Sequence, residues 1–199
     1  PYPLDDGEAQ RARKLGRSRD FRRVRHRADG IIGHTLALDQ VADETLLALD
    51  AIYGWVKTRT LAQVIHIARQ GVLTHRDGNN ESVSGARLAA RFRFPVLLLH
   101  GERNEVFDWR GSLQSYRSLC RAFDADTGDP VVEPNGDRHW GSGTPRQFHL
   151  LHDHGHQDSV IGRRLRDRVY PVIRTFLDSA EPPQPVAAPQ HSFVCGEPW

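Results

Sequence analysis

Two stretches of the sequence place polar, proton-transferring side chains directly after apolar runs. His100-Gly101-Glu102-Arg103-Asn104-Glu105 follows the first run, and a histidine-rich stretch that ends at Asp158 follows the second. In open parallel sheets the carboxyl ends of the strands face the ligand crevice, so polar groups at these positions are well placed for chemistry. A histidine directly after glycine, as in Gly155-His156, can turn its imidazole into such a crevice.

The segments around these motifs predict an α/β fold. Pro95–Leu99 and Phe148–Leu151 read as short strands, and the apolar residues of 113–123 and 165–177 recur at helical spacing. Strand, helix, strand, helix implies a right-handed βαβ unit, with a few short parallel strands packed by helices. We expect the first strand to be buried on both faces. The Gly-, Pro- and Asp-rich stretch 124–146 reads as a surface excursion.

Three regions are predicted along the chain. Residues 1–35 form a basic polar arm, 36–180 form the folded domain, and the Pro-rich tail 181–199 is extended or disordered. Within the domain, residues 36–53 read as helical. A second, amphipathic helix ends at Gly71. Residues 77–80 predict a turn, alone or within a small hairpin.

Composition excludes several classes of protein. The 199 residues suit one domain with tails, and a net charge of +2 does not by itself imply a nucleic-acid or membrane partner. The apolar runs are too short to span a bilayer. Two cysteines, Cys120 and Cys195, make no disulfide scaffold, which favours the cytoplasm. Because the chain starts at Pro1 and contains no Met, we expect it to be part of something longer.

The two motifs together resemble the C-terminal part of the α/β-hydrolase superfamily. In that superfamily an apolar strand followed by His-Gly-x-x-Asp supplies the catalytic acid, and Gly-His-x-Asp after the last strand supplies the catalytic histidine. Residues 94–106, 155–162 and 169–171 most resemble the lipase-like hydrolase domain attached to cholesterol-oxidase-type flavoproteins of the glucose-methanol-choline class. The resemblance covers roughly residues 44–178.

The resemblance implies a role for each matching position. His156 falls on the general base, which takes a proton from a serine and returns it to the leaving group. The acid position falls on Asn104, a neutral amide that holds an imidazole but does not stabilise its cation by charge. Glu105 is the favoured substitute, and Glu102 is another. The alternative is that Asn104 and Glu105 form an ordinary turn after a buried strand.

The nucleophile that the resemblance requires is absent from the expected place. A Gly-x-Ser-x-Gly elbow should precede residue 95, because the superfamily order is nucleophile, acid, histidine. Gly16-Arg-Ser18 lies among arginines without a preceding strand, and Ser84 lacks the leading glycine. Ser112 and Ser142 come too late in this order. We therefore expect the nucleophile to lie outside this chain.

Two other interpretations concern histidines and arginines. His152, His154 and His156 alternate, so a continuing strand would turn all three to one side, as in a metal site. Gly155 argues for an end of the strand, and solvated loop residues are the simpler interpretation. The nine basic residues between Arg11 and Arg27 include only Phe21 as an aromatic, which favours a solvated arm over nucleic-acid binding.

The resemblance implies a serine esterase or lipase-type hydrolase acting on a small-molecule or lipid ester, without a cofactor and inactive in this chain alone. The alternative is a non-catalytic hydrolase-like module for packing or partner binding, associated with a flavin-dependent sterol oxidase. A sheet without its first strands exposes an unpaired edge. We therefore expect a polypeptide partner or a missing N-terminal half.

Overall fold

The computed structural model describes residues 33–48, 57–71, 73–75, 77–79 and 84–179. The basic run Arg11–Arg27, the Pro-rich tail 181–199 and Cys195 lie outside these ranges, as do parts of the helical segment expected over 36–53. The expected turn is present, because His75 N–H donates to Asn79 O at 2.8 Å. Most of the residues that would form hairpin strands around it are outside the described ranges.

The first described elements are helical. A 3-10 turn, Leu38–Gln40, precedes α1 (Asp43–Leu47), and α2 (Thr58–Gln70) and α3 (Gly85–Arg91) follow. Helix α2 confirms the predicted amphipathic helix. It ends at Gly71, whose φ of 67° is the left-handed conformation that closes many helices.

The sheet has four strands in the order β1-β4-β3-β2, with bounds β1 Val96–Gly101, β2 Val131–Val132, β3 Arg138–Trp140 and β4 Arg146–Leu151. β1 and β4 are parallel, with Leu98 opposite Phe148. Helix α4 (Trp109–Arg121) follows β1 along the chain and packs against both β1 and β4. The two strands predicted from their apolar runs are therefore confirmed.

Two expectations about the sheet are wrong. The sheet is mixed rather than parallel, because β3 runs antiparallel to both β4 and β2. The stretch 124–146 is therefore more than a surface excursion: it adds a hairpin to the sheet beside β4. In addition, Val96–Leu99 are half-buried rather than buried, since β1 is the outer strand of the described sheet.

The main core lies between α4 and the sheet. Tyr116 and Phe148 stack at 6.3 Å, and Trp140 packs on Phe148 at 5.1 Å. Leu113, Tyr116 and Cys120 project from one face of α4, as their spacing predicts. Asp108 caps this helix by accepting from Arg110 N–H at 2.9 Å. Trp140 thus anchors the hairpin to the core.

A second core holds the early segment against the end of the chain. Leu36, Leu38, Val41 and Leu46 pack together with Ile161 of α5 (Asp158–Ile161). A π-helical segment, Leu165–Val169, then runs directly into α6 (Tyr170–Ser179), which confirms the predicted final helix. None of the helices in the described ranges combines the length and apolar character that a bilayer crossing requires.

Candidate functional site

The loops that follow β1 and β4 meet at one edge of the sheet. Glu102 N–H donates to Leu151 O at 2.8 Å, and Arg103 N–H donates to His154 O at 2.9 Å. This close approach requires glycine at position 101, since a Cβ there would overlap the carbonyl oxygens of His154 and Gly155. The two sequence motifs are therefore held side by side by backbone hydrogen bonds.

Asn104 connects the two motifs through its side-chain amide. Its Oδ1 accepts from the backbone N–H of Val106 at 2.9 Å and of Phe107 at 3.0 Å. Because only the amide oxygen accepts hydrogen bonds, these two donors fix which way the amide group faces. The Nδ2 group is then directed to His156 Nδ1 at 3.1 Å and lies 3.0 Å from His100 Nε2.

The orientation of the Asn104 amide determines which ring nitrogen of His156 carries the proton. Since Asn104 Nδ2 is a donor, Nδ1 of a neutral His156 accepts, and the ring proton lies on Nε2. Burial lowers the pKa of His156, and the neighbouring His100 lowers it further. The Phe107 ring contacts the imidazole edge-on at 5.4 Å. His156 is thus a neutral imidazole whose Nε2–H is a hydrogen-bond donor.

His100 extends this network into α4, a role that was not predicted from the sequence. Its Nδ1 lies 2.8 Å from Ser112 Oγ, and its Nε2 lies 3.1 Å from the Phe107 carbonyl oxygen. Burial lowers the pKa of His100, against smaller raising effects from Phe107 and Asp108. The available signal was the position of His100 at the end of an apolar strand, four residues before Asn104.

Neither candidate substitute acid reaches His156. Glu105 is largely exposed, and its Oε2 lies 3.8 Å from Nε2 of His34. Glu102 points towards the hairpin, where it pairs with Arg138 of β3 and with His152. Of the predicted site residues, the structure brings His156 and Asn104 together and places both glutamates elsewhere.

A buried carboxylate, Asp158, holds the His156 loop in place. It accepts from Gly155 N–H at 2.7 Å and from Ala37 N–H at 3.0 Å. Burial raises the pKa of Asp158, and the backbone donors partly offset this effect. A Cβ at Gly155 would lie 2.7 Å from the carboxylate, so glycine is required there. The Gly-His-x-Asp pattern was the sequence signal for this anchor.

The alternating histidines do not form a set of metal ligands. β4 ends at Leu151, so His152, His154 and His156 lie on a loop rather than on one strand face. His154 is fully buried, and neither of its ring nitrogens has a hydrogen-bond partner within the described part of the chain. Across those same ranges, no group of three or more His, Cys, Asp or Glu side chains is placed to bind a metal ion.

The candidate nucleophiles are dispersed. Ser18 lies outside the described ranges, Ser84 precedes α3, and Ser112 contacts His100 instead of His156. Ser142 lies in the turn after β3. Within the described residues, the hydrogen bond recorded at a ring nitrogen of His156 is the one from Asn104, and no serine hydroxyl reaches the ring.

The site therefore consists of a neutral imidazole and an amide at the carboxyl end of two parallel strands, tied by His100 to α4. This arrangement donates hydrogen bonds more readily than it removes protons. In comparison with known proteins, no family model, curated protein or solved structure matches this chain.

Proposed function

We propose that this chain is the C-terminal part of an α/β-hydrolase-like unit in which the His156 site serves packing or partner binding rather than ester hydrolysis. The observation that carries the proposal is the hydrogen bond from Asn104 Nδ2 to His156 Nδ1. It places a donor where a working base requires a carboxylate.

The physical reason lies in the tautomer. To deprotonate a serine, the imidazole needs a lone pair on the nitrogen that faces the serine and a charged acceptor on the other nitrogen. Asn104 imposes the reverse arrangement on His156. In serine proteases the equivalent change from Asp to Asn lowers turnover by about 10⁴. Burial and the neighbouring His100 lower the pKa of His156, and the Asp158 carboxylate offsets these effects only in part, which agrees with this.

The partner we infer is a polypeptide that adds to the sheet. β1 is the outer strand of the described sheet, and its apolar residues Val96–Leu99 are only half-buried. An outer strand carries unpaired N–H and C=O groups and accepts a further strand readily. The remainder of a hydrolase-like unit, or a separate chain that replaces it, has the chemistry to occupy this edge.

The proposal is tested by the protonation state of His156. In a ¹⁵N-labelled sample at neutral pH, we expect the Nδ1 resonance of an unprotonated, hydrogen-bonded nitrogen and the Nε2 resonance of a protonated one. Asn104→Ala removes the donor and should shift the ring towards a mixture of tautomers. A wild-type ring with its proton on Nδ1 contradicts the proposal.

A second candidate function is hydrolysis of a small-molecule or lipid ester, with the serine supplied from outside this chain. It is favoured by one observation: the loops after β1 and β4 meet, and Asn104 occupies the position of the acid beside His156. In a longer polypeptide that includes a Gly-x-Ser-x-Gly elbow, His156→Ala would abolish ester turnover if this function holds. Under the module proposal, His156 takes no part in ester turnover, so His156→Ala leaves it unaffected.

A further inference from the structure

Three side chains of the hairpin that adds to β4 form a chain of hydrogen bonds. Ser142 Oγ lies 2.6 Å from Nδ1 of His139, and Nε2 of the same ring lies 2.9 Å from Glu133 Oε1. We propose that Ser142, His139 and Glu133 form a second, surface hydrolytic site that acts on small acyl esters. This site is independent of His156 and of the module function proposed above.

The tautomer of His139 is the one that base catalysis needs. The Glu133 carboxylate only accepts hydrogen bonds, so Nε2 of His139 carries the proton and donates it. Nδ1 then has a free lone pair and accepts from the Ser142 hydroxyl. The carboxylate also stabilises the imidazolium that forms when the serine proton is taken up. The pairing is thus the reverse of that between Asn104 and His156.

The base and the acid are held by regular structure. His139 is the central residue of β3, paired with Val131 of β2 and with His149 of β4. Its ring stacks on that of His149 at 5.9 Å, with 13° between the ring planes. Glu133 is fixed at the end of β2, where its N–H donates to Asp137 O at 2.8 Å. Such placement keeps the catalytic groups in register.

The serine is open to solvent and flanked by glycines. Ser142 is exposed, and a Cβ added at Gly143 would meet nothing within 4 Å, so an acyl group has room beside the hydroxyl. The turn itself is closed by Thr144, whose N–H and hydroxyl both donate to Gly141 O. Within the described residues no group accepts from Gly143 N–H, and a donor one residue after the nucleophile is of the kind that stabilises an oxyanion.

The reaction balances with these groups and water alone. Ser142 Oγ forms a bond to the acyl carbon as its proton moves to His139 Nδ1, and the bond to the leaving alkoxide breaks as the alkoxide takes that proton. Water then repeats the sequence on the acyl-serine, giving a carboxylic acid and regenerating the serine. Because the serine lies on an open surface, the site suits small acyl groups such as acetyl.

The test is labelling of the full 199-residue chain with a fluorophosphonate probe, with the modified residue located by peptide mass spectrometry. We expect modification at Ser142 and at least a tenfold loss of labelling in Ser142→Ala. Ser115→Ala is the matched control, because Ser115 is an exposed serine whose hydroxyl donates only to a backbone carbonyl. Absence of labelling at Ser142, or equal labelling in Ser142→Ala, overturns the proposal.

Two further variants separate this site from the rest of the chain. Glu133→Gln should lower the rate of labelling about tenfold or more, because an amide no longer fixes the proton on Nε2. A rate that falls in His156→Ala but not in Glu133→Gln assigns the chemistry to the first site and overturns this one.

Discussion

Asn104→Asp should replace the amide donor that faces His156 Nδ1 with a carboxylate acceptor. The backbone N–H groups of Val106 and Phe107 continue to hold one side-chain oxygen, as they do in the wild type. The second oxygen then replaces Nδ2, which lies 3.1 Å from His156 Nδ1. Because an ionised carboxylate only accepts, the ring proton should move from Nε2 to Nδ1.

The expected size of the effect follows from the charges. Opposite unit charges about 4 Å apart attract by about 4 kcal/mol at an effective dielectric constant of about 20. A neighbouring opposite charge usually shifts a pKa by about 1–3 units. In the wild type, burial and His100 hold the pKa of His156 below its ordinary value. We therefore expect the substitution to raise that pKa by about 1–3 units.

The assay is an NMR titration of the histidine rings, with ¹⁵N shifts reporting the tautomer. Asn135→Asp is a matched control: Asn135 also accepts from a backbone N–H through Oδ1, but in the turn of the β2–β3 hairpin. It adds the same charge and should leave His156 unchanged. A His156 pKa that does not rise in Asn104→Asp, or rises equally in the control, would refute the assignment of the amide orientation.

Three further predictions concern the folded state, each measured by urea denaturation. Gly101→Ala should destabilise the fold by about 1–3 kcal/mol, because its Cβ would overlap the adjoining loop, whereas Gly111→Ala in α4 has open space and should stabilise by up to about 1 kcal/mol. Asp137→Asn should lower the free energy of unfolding by about 3 kcal/mol or more, because this buried carboxylate pairs with Arg168 of the π-helical segment and its pKa is lowered to about 2. The control is Asp178→Asn, at an exposed carboxylate, which should change stability by under about 0.5 kcal/mol. Burial lowers the pKa of His154, so the unfolded state binds the proton more readily, and stability should fall as the pH drops from about 7 to 5; in His154→Gln that slope should be smaller.

The elements that the sequence predicts well are those with a strong local pattern. β1 contains a continuous apolar run, β4 ends in the mainly apolar stretch Phe148–Leu151, and α4 and α6 bring apolar residues to one face. The hairpin was missed because β2 and β3 have two and three residues, too few to show the alternation of a strand. Trp140 positions the hairpin by packing on Phe148, and that contact depends on tertiary structure.

The candidate site, too, was predictable from the sequence only in part. The order of the strands predicts that the loops carrying Asn104 and His156 meet, and they are adjacent in the structure. Which atom of Asn104 faces the ring depends on two backbone N–H groups of the following turn, which no residue pattern records. The direction of Glu105, towards His34, likewise depends on packing of the early segment.

Two histidines in this chain show why a motif alone does not define a base. His156 follows the Gly-His-x-Asp pattern but receives a hydrogen bond from an amide, whereas His139 matches no pattern and donates to a carboxylate. The chemistry of an imidazole depends on which nitrogen holds the proton, and its neighbour sets that. Exchanging the neighbours should therefore exchange the behaviour: Asn104→Asp should make His156 more basic, and Glu133→Gln should weaken the activation of Ser142 by His139.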